Sequence, residues 1–325
     1  MTEPNNVVDD PIEAAALRLQ SGQLVAFPTE TVYGLGARAD DDQAVARIFA
    51  AKGRPADHPL IVHVASLAAA QAFAAYLSPA ALRLVNAFWP GPLTIIVPRR
   101  SGMAKAAAGG QESVGLRMPA HPLALAWLRR AGQLGVAGVA GPSANRFGRV
   151  SPTTAEHVRQ EFGPDLMVLD GGACTVGIES AIVDCTRSQP ALLRPGQLTR
   201  QQLEDVLGQT LVAPDATSPR ASGTLESHYA PSVPVRMWAT DDLAARLRRP
   251  PLPGEEVAVY SRLFPPAGLG WRHQPMAGQS AQVAHDLFAV LRDLDQPGVA
   301  AIWVEHPPAD AEWDGVRDRL QRASA

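Results

Sequence analysis

LVAFPTETVYGLG at residues 24–36 and DQAVARIFAAKGRP at residues 42–55 decide the fold. Residues 24–27 read as a short buried strand. Residues 42–52 read as a helix that turns Val45, Ile48 and Phe49 inward. Strand followed by helix is the repeating unit of an α/β protein, and the pattern continues outward from this stretch. Strands are expected at 60–64, 93–97, 114–117, 136–140, 166–169, 181–184 and 191–194. Helices are expected between them at 68–76, 79–88 and 122–131, then from Ser151-Pro152, read as N-cap and first-turn proline, to residue 162. Thr199 with Gln202 reads as a capping box that opens a last helix ending near Gly208.

Residues 209–233 change character, with prolines at 214, 219 and 231 and no periodicity. This segment reads as a linker or lid. Residues 234–325 alternate again on a smaller scale, with strands at 257–261 and 300–305 and helices at 241–248, 279–295 and 313–320. Short parallel strands with crossover helices predict a Rossmann-like three-layer domain. The expected fold is therefore α/β throughout: an open sheet with helices in residues 1–208, a linker or lid at 209–233, and a smaller α/β domain at 234–325.

At 325 residues the chain exceeds what one hydrophobic core usually reaches, which also favours two domains. With 46% hydrophobic and 19% charged residues the composition is that of an ordinary globular protein. No apolar run approaches the roughly 18 residues of a membrane helix. Residues 1–10 are polar and acidic, without the basic start and apolar core of a secretory signal. Cys174 and Cys185 are the only cysteines and read as small buried residues in a reducing, cytoplasmic setting. The net charge is −3, and residues 1–208 balance basic against acidic groups, unlike a nucleic-acid binder with its basic excess.

Of the 29 basic residues, 27 are arginine, so Lys52 is an exception in a chain that otherwise uses arginine for positive charge. An ammonium and a planar guanidinium are not interchangeable. Lys52 and Arg54 flank Gly53 at the end of the helix, where two cations starting from one fixed turn can make an anion site. Cations at a helix C-terminus also complement its dipole and often face water. Arg117 and Arg194 each end an apolar strand, which is where open α/β sheets bind ligands. Ser143 and Asn145 stand in the loop after residues 136–140, where turn chemistry is the plainer account. Thr29, Thr31 and Tyr33 alternate as in a strand and could put three hydroxyls on one face. The stretch 34–39 matches a loose G-x-G-x-x-A dinucleotide pattern, but three aspartates precede the next helix and would repel a pyrophosphate. No Walker loop, nucleophile elbow or metal-ligand spacing is present.

Seven ordered motifs, PTETVYGLG at 28–36, KGRP at 52–55, HPLIVH at 58–63, SVGLRMP at 113–119, GPSAN at 141–145, SPT at 151–153 and GIES at 177–180, closely resemble the YrdC-like family in its two-domain form. A linker motif, HYAP at 228–231, extends the resemblance toward the C-terminus. The resemblance implies an activity: L-threonine, bicarbonate and ATP, with Mg2+, give threonylcarbamoyl-adenylate and pyrophosphate. The product would pass to a complex that modifies tRNA, with little or no direct tRNA contact and no membrane. It also implies roles. Lys52, Arg54, Ser143 and Asn145 match the phosphate-binding tetrad; His58, Ser113, Ser151, Arg194 and Tyr229 match further ATP contacts. Thr31, His63, Arg117, Gly141 and Ser180 match threonine contacts, with Arg117 on the carboxylate. No metal ligand is implied. His58 replaces a common asparagine and Gly141 a common alanine, the latter expected to be a backbone contact indifferent to its side chain. Two other readings stay open on the residues: carbamoyl transfer to another acceptor, and an RNA-binding module.

Overall fold

The computed structural model describes residues 10–225, 227–252, 254 and 256–325. The amino-terminal residues read above for a leader lie largely outside the described residues. Helix α1 (Pro11–Gln20) opens on an Asp10 cap and leads into β1 (Val25–Phe27), β2 (Gly34–Arg38) and α2 (Asp42–Lys52). There follow β3 (Ile61–His63), α3 (Leu67–Gln71), α4 (Pro79–Phe88), β4 (Leu93–Pro98), β5 (Ser113–Arg117) and α5 (Pro122–Gln133). The rest of this part comprises β6 (Val139–Ala140), α6 (Ala155–Phe162), β7 (Met167–Val168), β8 (Ala181–Asp184), β9 (Ala191–Arg194) and α7 (Arg200–Leu207).

All nine strands join one mixed sheet in the order β7-β1-β2-β6-β3-β5-β4-β8-β9. Because side chains alternate across a strand, neighbouring residues serve different cores. Val25 and Phe27 of β1 pack with Ala15, Ala16 and Leu19 of α1 and Trp127 of α5, whereas Ala26 joins the core formed by α2 and α4. A further patch, Ile61, Ile96, Ile182 and Leu193, has no helix over it; Val212 and Ala221 of the linker pack there instead. The linker thus covers a sheet face that would otherwise be open.

Residues beyond the linker form β10 (Val235–Trp238), α8 (Thr240–Leu247), β11 (Glu256–Ser261), β12 (Arg272–Pro275), α9 (Ser280–Leu294), β13 (Val299–Glu305) and α10 (Asp314–Ala323). Their sheet is wholly parallel, in the order β10-β13-β11-β12. Val257, Val259 and Trp303 face α8, while Ala258, Tyr260, Ile302 and Val304 face α9 and α10, giving the expected three layers. The α9–α10 core also takes in Val32, Val150, Val176 and Ile178 of the first part and Tyr229 of the linker, so the two parts share apolar packing.

Four elements, α1, β2, β10 and β12, are additions to those expected from sequence, and two helices are corrected, the one expected at 68–76 being the shorter α3 (Leu67–Gln71). The dinucleotide-like stretch 34–39, already set aside because of its aspartates, holds the antiparallel strand β2, paired with β1 and β6. The helix expected from Ser151 begins at Ala155, capped by Thr154, whose hydroxyl accepts from the His157 N–H at 3.2 Å.

Candidate functional site

Helix α2 ends where Gly53 adopts φ +65°, a turn that costs a glycine nothing. From that turn Lys52 and Arg54 both run inward and are buried. Lys52 Nζ donates to the backbone carbonyl of Ser143 at 2.6 Å and to that of Asn145. The K-x-R and S-x-N motifs are therefore physically joined. Burial, reinforced by Arg54, holds the Lys52 ammonium well below its ordinary pKa. Burial likewise pushes Arg54 down to about 10. Arg54 Nη2 donates to the Pro59 carbonyl at 3.0 Å, its guanidinium sits 5.9 Å from the Phe147 ring centre, and its buried Nε has no partner among the described residues. Asn145 Nδ2 binds the carbonyls of Arg146 and Arg149 at 2.7 and 2.9 Å, while its buried Oδ1 is unpartnered. Two crowded cations with unspent donors are what an anion would satisfy.

A second group lies beside the first. Arg117, at the end of β5, donates from Nη2 to Glu30 Oε1 at 2.6 Å, from Nη1 to Thr31 Oγ1 at 2.8 Å and from Nε to the Gly91 carbonyl at 3.3 Å. Its charge is thus balanced within the chain, which is why the strand end tolerates it. Each terminal nitrogen keeps a second N–H. His63, at the end of β3, is pushed down to about 3 by burial and by Arg117, so its imidazole is neutral, and its buried Nδ1 has no partner among the described residues. Thr29 and Thr31 hydroxyls meet at 2.8 Å, but Tyr33 turns away: its hydroxyl donates to the Gly172 carbonyl and accepts from the Gly171 N–H. The expectation of three hydroxyls on one face is corrected, because Thr29 Oγ1 accepts from the Thr31 and Val32 N–H groups and makes this stretch a turn. Gly141 is corrected as well. A Cβ there would stand 2.8 Å from Phe27 Cζ and 3.0 Å from His63 Nδ1, so the position is not indifferent to its side chain.

Arg194, at the end of β9, connects the sheet to the linker. It donates to the Ser180 carbonyl from Nε and Nη2 at 3.1 and 2.9 Å, and to the Ser222 carbonyl from Nη1 at 2.8 Å. Ser180 Oγ meets Thr94 Oγ1 at 2.8 Å. Tyr229, in the left-handed region at φ +64°, points its buried hydroxyl toward Gly223, where a Cβ would come within 2.3 Å of that oxygen. Burial pushes the Tyr229 phenol up to about 12.

These groups border a cleft, open in part to solvent, that Arg54, His63, Arg117, Ser143, Ser180 and Arg194 line, with Gly141 and Tyr229 also at its wall. Ser113 lines a neighbouring apolar cleft with Ile61, Ile96 and Ile182. His58 lines a third, with Arg54 and His228. Linker residues border all three, Ser222 the first two and Gly223 the first and third, so the linker partitions one cleft. Lys52, Asn145 and Thr31 stand just behind the wall, attached to it by the bonds above. Ser151 also stands behind it, its hydroxyl donating to Glu179 Oε1 at 2.5 Å. The structure adds Glu30, Glu179, Ser222 and Gly223 to the residues found by sequence. Glu30 and Glu179 are embedded in two of the quoted motifs, but nothing local marks their partners.

Among the described residues no group of three or more His, Cys, Asp or Glu side chains is placed to hold a metal ion. The carboxylates here are committed: Glu179 to Ser151 and Arg319, and Glu30 to Arg117 and the Ala120 N–H. The described residues do not fit a protein-held magnesium. Among the described residues no helix is long and apolar enough to cross a membrane.

The family model for Sua5, YciO and YrdC proteins, described as telomere recombination, matches residues 18–196. The model for the threonylcarbamoyl-AMP synthase C-terminal domain matches residues 198–325. Threonylcarbamoyl-AMP synthase of Pyrococcus abyssi is 37% identical over 96% of this chain and 94% of its own. That of Bacillus subtilis is 35% identical over 100% and 96%. The crystal structure of P. abyssi Sua5 complexed with L-threonine is similar at TM-score 0.86, with 36% identity over 96% of this chain and 94% of that one.

Proposed function

The chain belongs to the Sua5, YciO and YrdC family in its two-domain form, and on that premise we propose that it joins L-threonine, bicarbonate and ATP into threonylcarbamoyl-AMP, releasing pyrophosphate. The observation that carries this reading is one cleft lined by Arg54, Arg117 and Arg194 together with His63 and Ser180, with Lys52 tied to the Ser143 backbone in its wall.

Threonine sits against Arg117 and His63. Its carboxylate takes the spare N–H groups of Arg117, its amine or hydroxyl donates to His63 Nδ1, and Thr31, Ser180 and the Gly141 backbone complete the contacts. The amine attacks the bicarbonate carbon, water leaves, and a carbamate forms. A carbamate oxygen then attacks the α-phosphorus in line with the leaving pyrophosphate, which departs with the bonding electrons. The chain itself forms no covalent bond. It supplies fixed charge from Lys52 and Arg54 and polar contacts from Ser143 and Asn145, the four acting as the phosphate tetrad where charge develops. Polyphosphate gives Lys52 and Arg54 the counter-charge that their burial lacks. His58, Ser113, Ser151, Arg194 and Tyr229 hold the rest of the nucleotide, and magnesium is assigned to the incoming ATP, not to the chain.

The enzyme is thus a nucleotidyltransferase acting in the cytoplasm, with residues 1–208 as catalytic domain, 209–233 as linker and lid, and 234–325 as the smaller domain. Its product feeds a tRNA threonylcarbamoyl-transfer complex. The test is pyrophosphate release from ATP with threonine and bicarbonate omitted in turn. Release that needs both upholds the reading; release indifferent to threonine, or none, refutes it.

A further inference from the structure

Glu179 is a buried carboxylate in the wall of a cavity whose other charged lining groups, among the described residues, are Arg54, Arg117 and Arg194. Its counter-charge comes from the other domain. Arg319 on α10 is fully buried and donates from Nε to Glu179 Oε2 at 2.8 Å and from Nη2 to the Glu179 carbonyl at 3.0 Å. Its Nη1 donates to the carbonyl of Pro195, next to Arg194, at 2.9 Å, and to Asp318 at 2.7 Å. Its guanidinium carbon lies 5.5 Å from the Tyr229 ring centre. One side chain therefore touches the carboxylate that holds Ser151, the turn that follows Arg194, and the aromatic ring of the linker.

Close approach makes this reach possible. Gly315 lies one turn before Arg319 on the same face of α10, and a Cβ there would stand 2.7 Å from the Gly196 carbonyl oxygen and 2.8 Å from Ile178 Cδ1. On the opposing side Gly177, at φ +85°, would bring a Cβ within 2.3 Å of two carbonyls of α9. Burial alone would raise the pKa of Glu179, yet Arg319 and Arg194 hold it below the ordinary carboxylate value. Burial would lower that of Arg319, yet Tyr229, Glu179 and Asp318 hold it above the ordinary value. Both shifts say that the pair is ionised in place.

We propose that Arg319 is a positioning residue for the nucleotide, delivered by the C-terminal domain: by pairing Glu179 it fixes Ser151 and cancels the carboxylate charge that Glu179 brings to the cavity wall, so that a polyphosphate can enter beside Arg54 and Arg194. The inference rests on the ATP reading of that cavity. Polyphosphate carries several negative charges, whereas threonine is a zwitterion, so altering the charge of the pair moves ATP affinity and leaves threonine affinity nearly alone.

The experiment is calorimetric titration of ATP, and separately of L-threonine, into the full-length chain and into Arg319→Met, Glu179→Gln and the double variant. ATP affinity should follow the net charge of the pair: tightest in Glu179→Gln, equal within about threefold in wild type and double variant, and weakest by at least about tenfold in Arg319→Met. A role in packing alone would weaken both ligands together and would not be rescued by removing the carboxylate. Any other order, or equal losses for both ligands, overturns the proposal. Should Arg319→Met fail to fold, the other two decide: ATP tightened in Glu179→Gln with the double variant near wild type upholds it, and ATP weakened in Glu179→Gln overturns it. A wild-type chain that takes up no ATP refutes the nucleotide reading and this proposal with it, whereas uptake in the wrong order refutes the positioning role alone.

Discussion

Lys52 shows how much a single residue type can disclose. A chain that writes nearly every cation as arginine keeps an ammonium where two carbonyls, of Ser143 and Asn145, converge on one point. A compact donor fits there and a planar fork does not. Lys52→Ala and Arg54→Ala should each lower the rate of pyrophosphate release at least about tenfold, or roughly 1.4 kcal/mol of transition-state stabilisation; unchanged kcat/KM in both would remove them from the phosphate site. The buried histidines give a second test. His63 and His228 are each pushed down to about 3, chiefly by burial, with Arg117 opposing charge on the first and Arg54 and Lys52 on the second. Both are neutral in the folded chain, so below the ordinary pKa of about 6.5 the unfolded chain binds protons that the folded one refuses. The stability they carry is present in full above about pH 6.5 and is lost as pH falls toward 3, at about 1.4 kcal/mol per pH unit for each once well below 6.5. Urea unfolding at pH 7 and pH 5 should show this loss, and His63→Gln with His228→Gln should remove most of it; an unaltered slope in the double variant would contradict the assignment.

The SPTT stretch at 151–154 shows where reading by element goes astray. Ser151-Pro152 has the form of a helix start, yet the cap is Thr154, and the Ser151 hydroxyl is spent on Glu179 instead. Local sequence cannot separate the two, since only the tertiary fold places a buried carboxylate within reach of one of them. Their substitutions should therefore differ. Thr154→Ala should cost about 1 kcal/mol of stability with ATP affinity intact, and Ser151→Ala should weaken ATP binding; matching effects from both in melting and titration experiments would show that the distinction is wrong. The strands that escaped notice have a related cause. β11 and β13 lie inside their parallel sheet, buried on both faces, and read as apolar runs. β10 and β12 are its edges, VRMW and RHQP, half exposed and without a pattern to betray them. β2 hid for another reason: its glycines at 34 and 36, needed where Phe27, Trp127 and Val139 crowd the backbone, mimic a nucleotide-binding turn.

At the scale of the molecule, the two α/β units and their linker were legible because alternation of strand and helix is written locally, while the contacts between them were not. Arg319 and Glu179 stand 140 residues apart, and neither sequence neighbourhood points to the other. The same separation determines what a cut would do. Ending the chain after Gly208 would expose Val32, Val150, Val176 and Ile178, which now pack in the α9–α10 core. It would also uncover Ile61, Ile96, Ile182 and Leu193 beneath the linker, and leave Glu179 without its guanidinium. The nine-stranded sheet keeps its helical cores, so the 1–208 fragment should fold, but with a lower melting temperature than the full chain. Its ATP affinity should fall at least about tenfold, because an unpaired carboxylate then faces the phosphates. Adding Glu179→Gln to the fragment should restore part of that affinity. If the fragment binds ATP as tightly as the full chain, the C-terminal domain contributes nothing to the nucleotide site; if it binds weakly and Glu179→Gln restores nothing, the loss comes from the missing linker and not from charge.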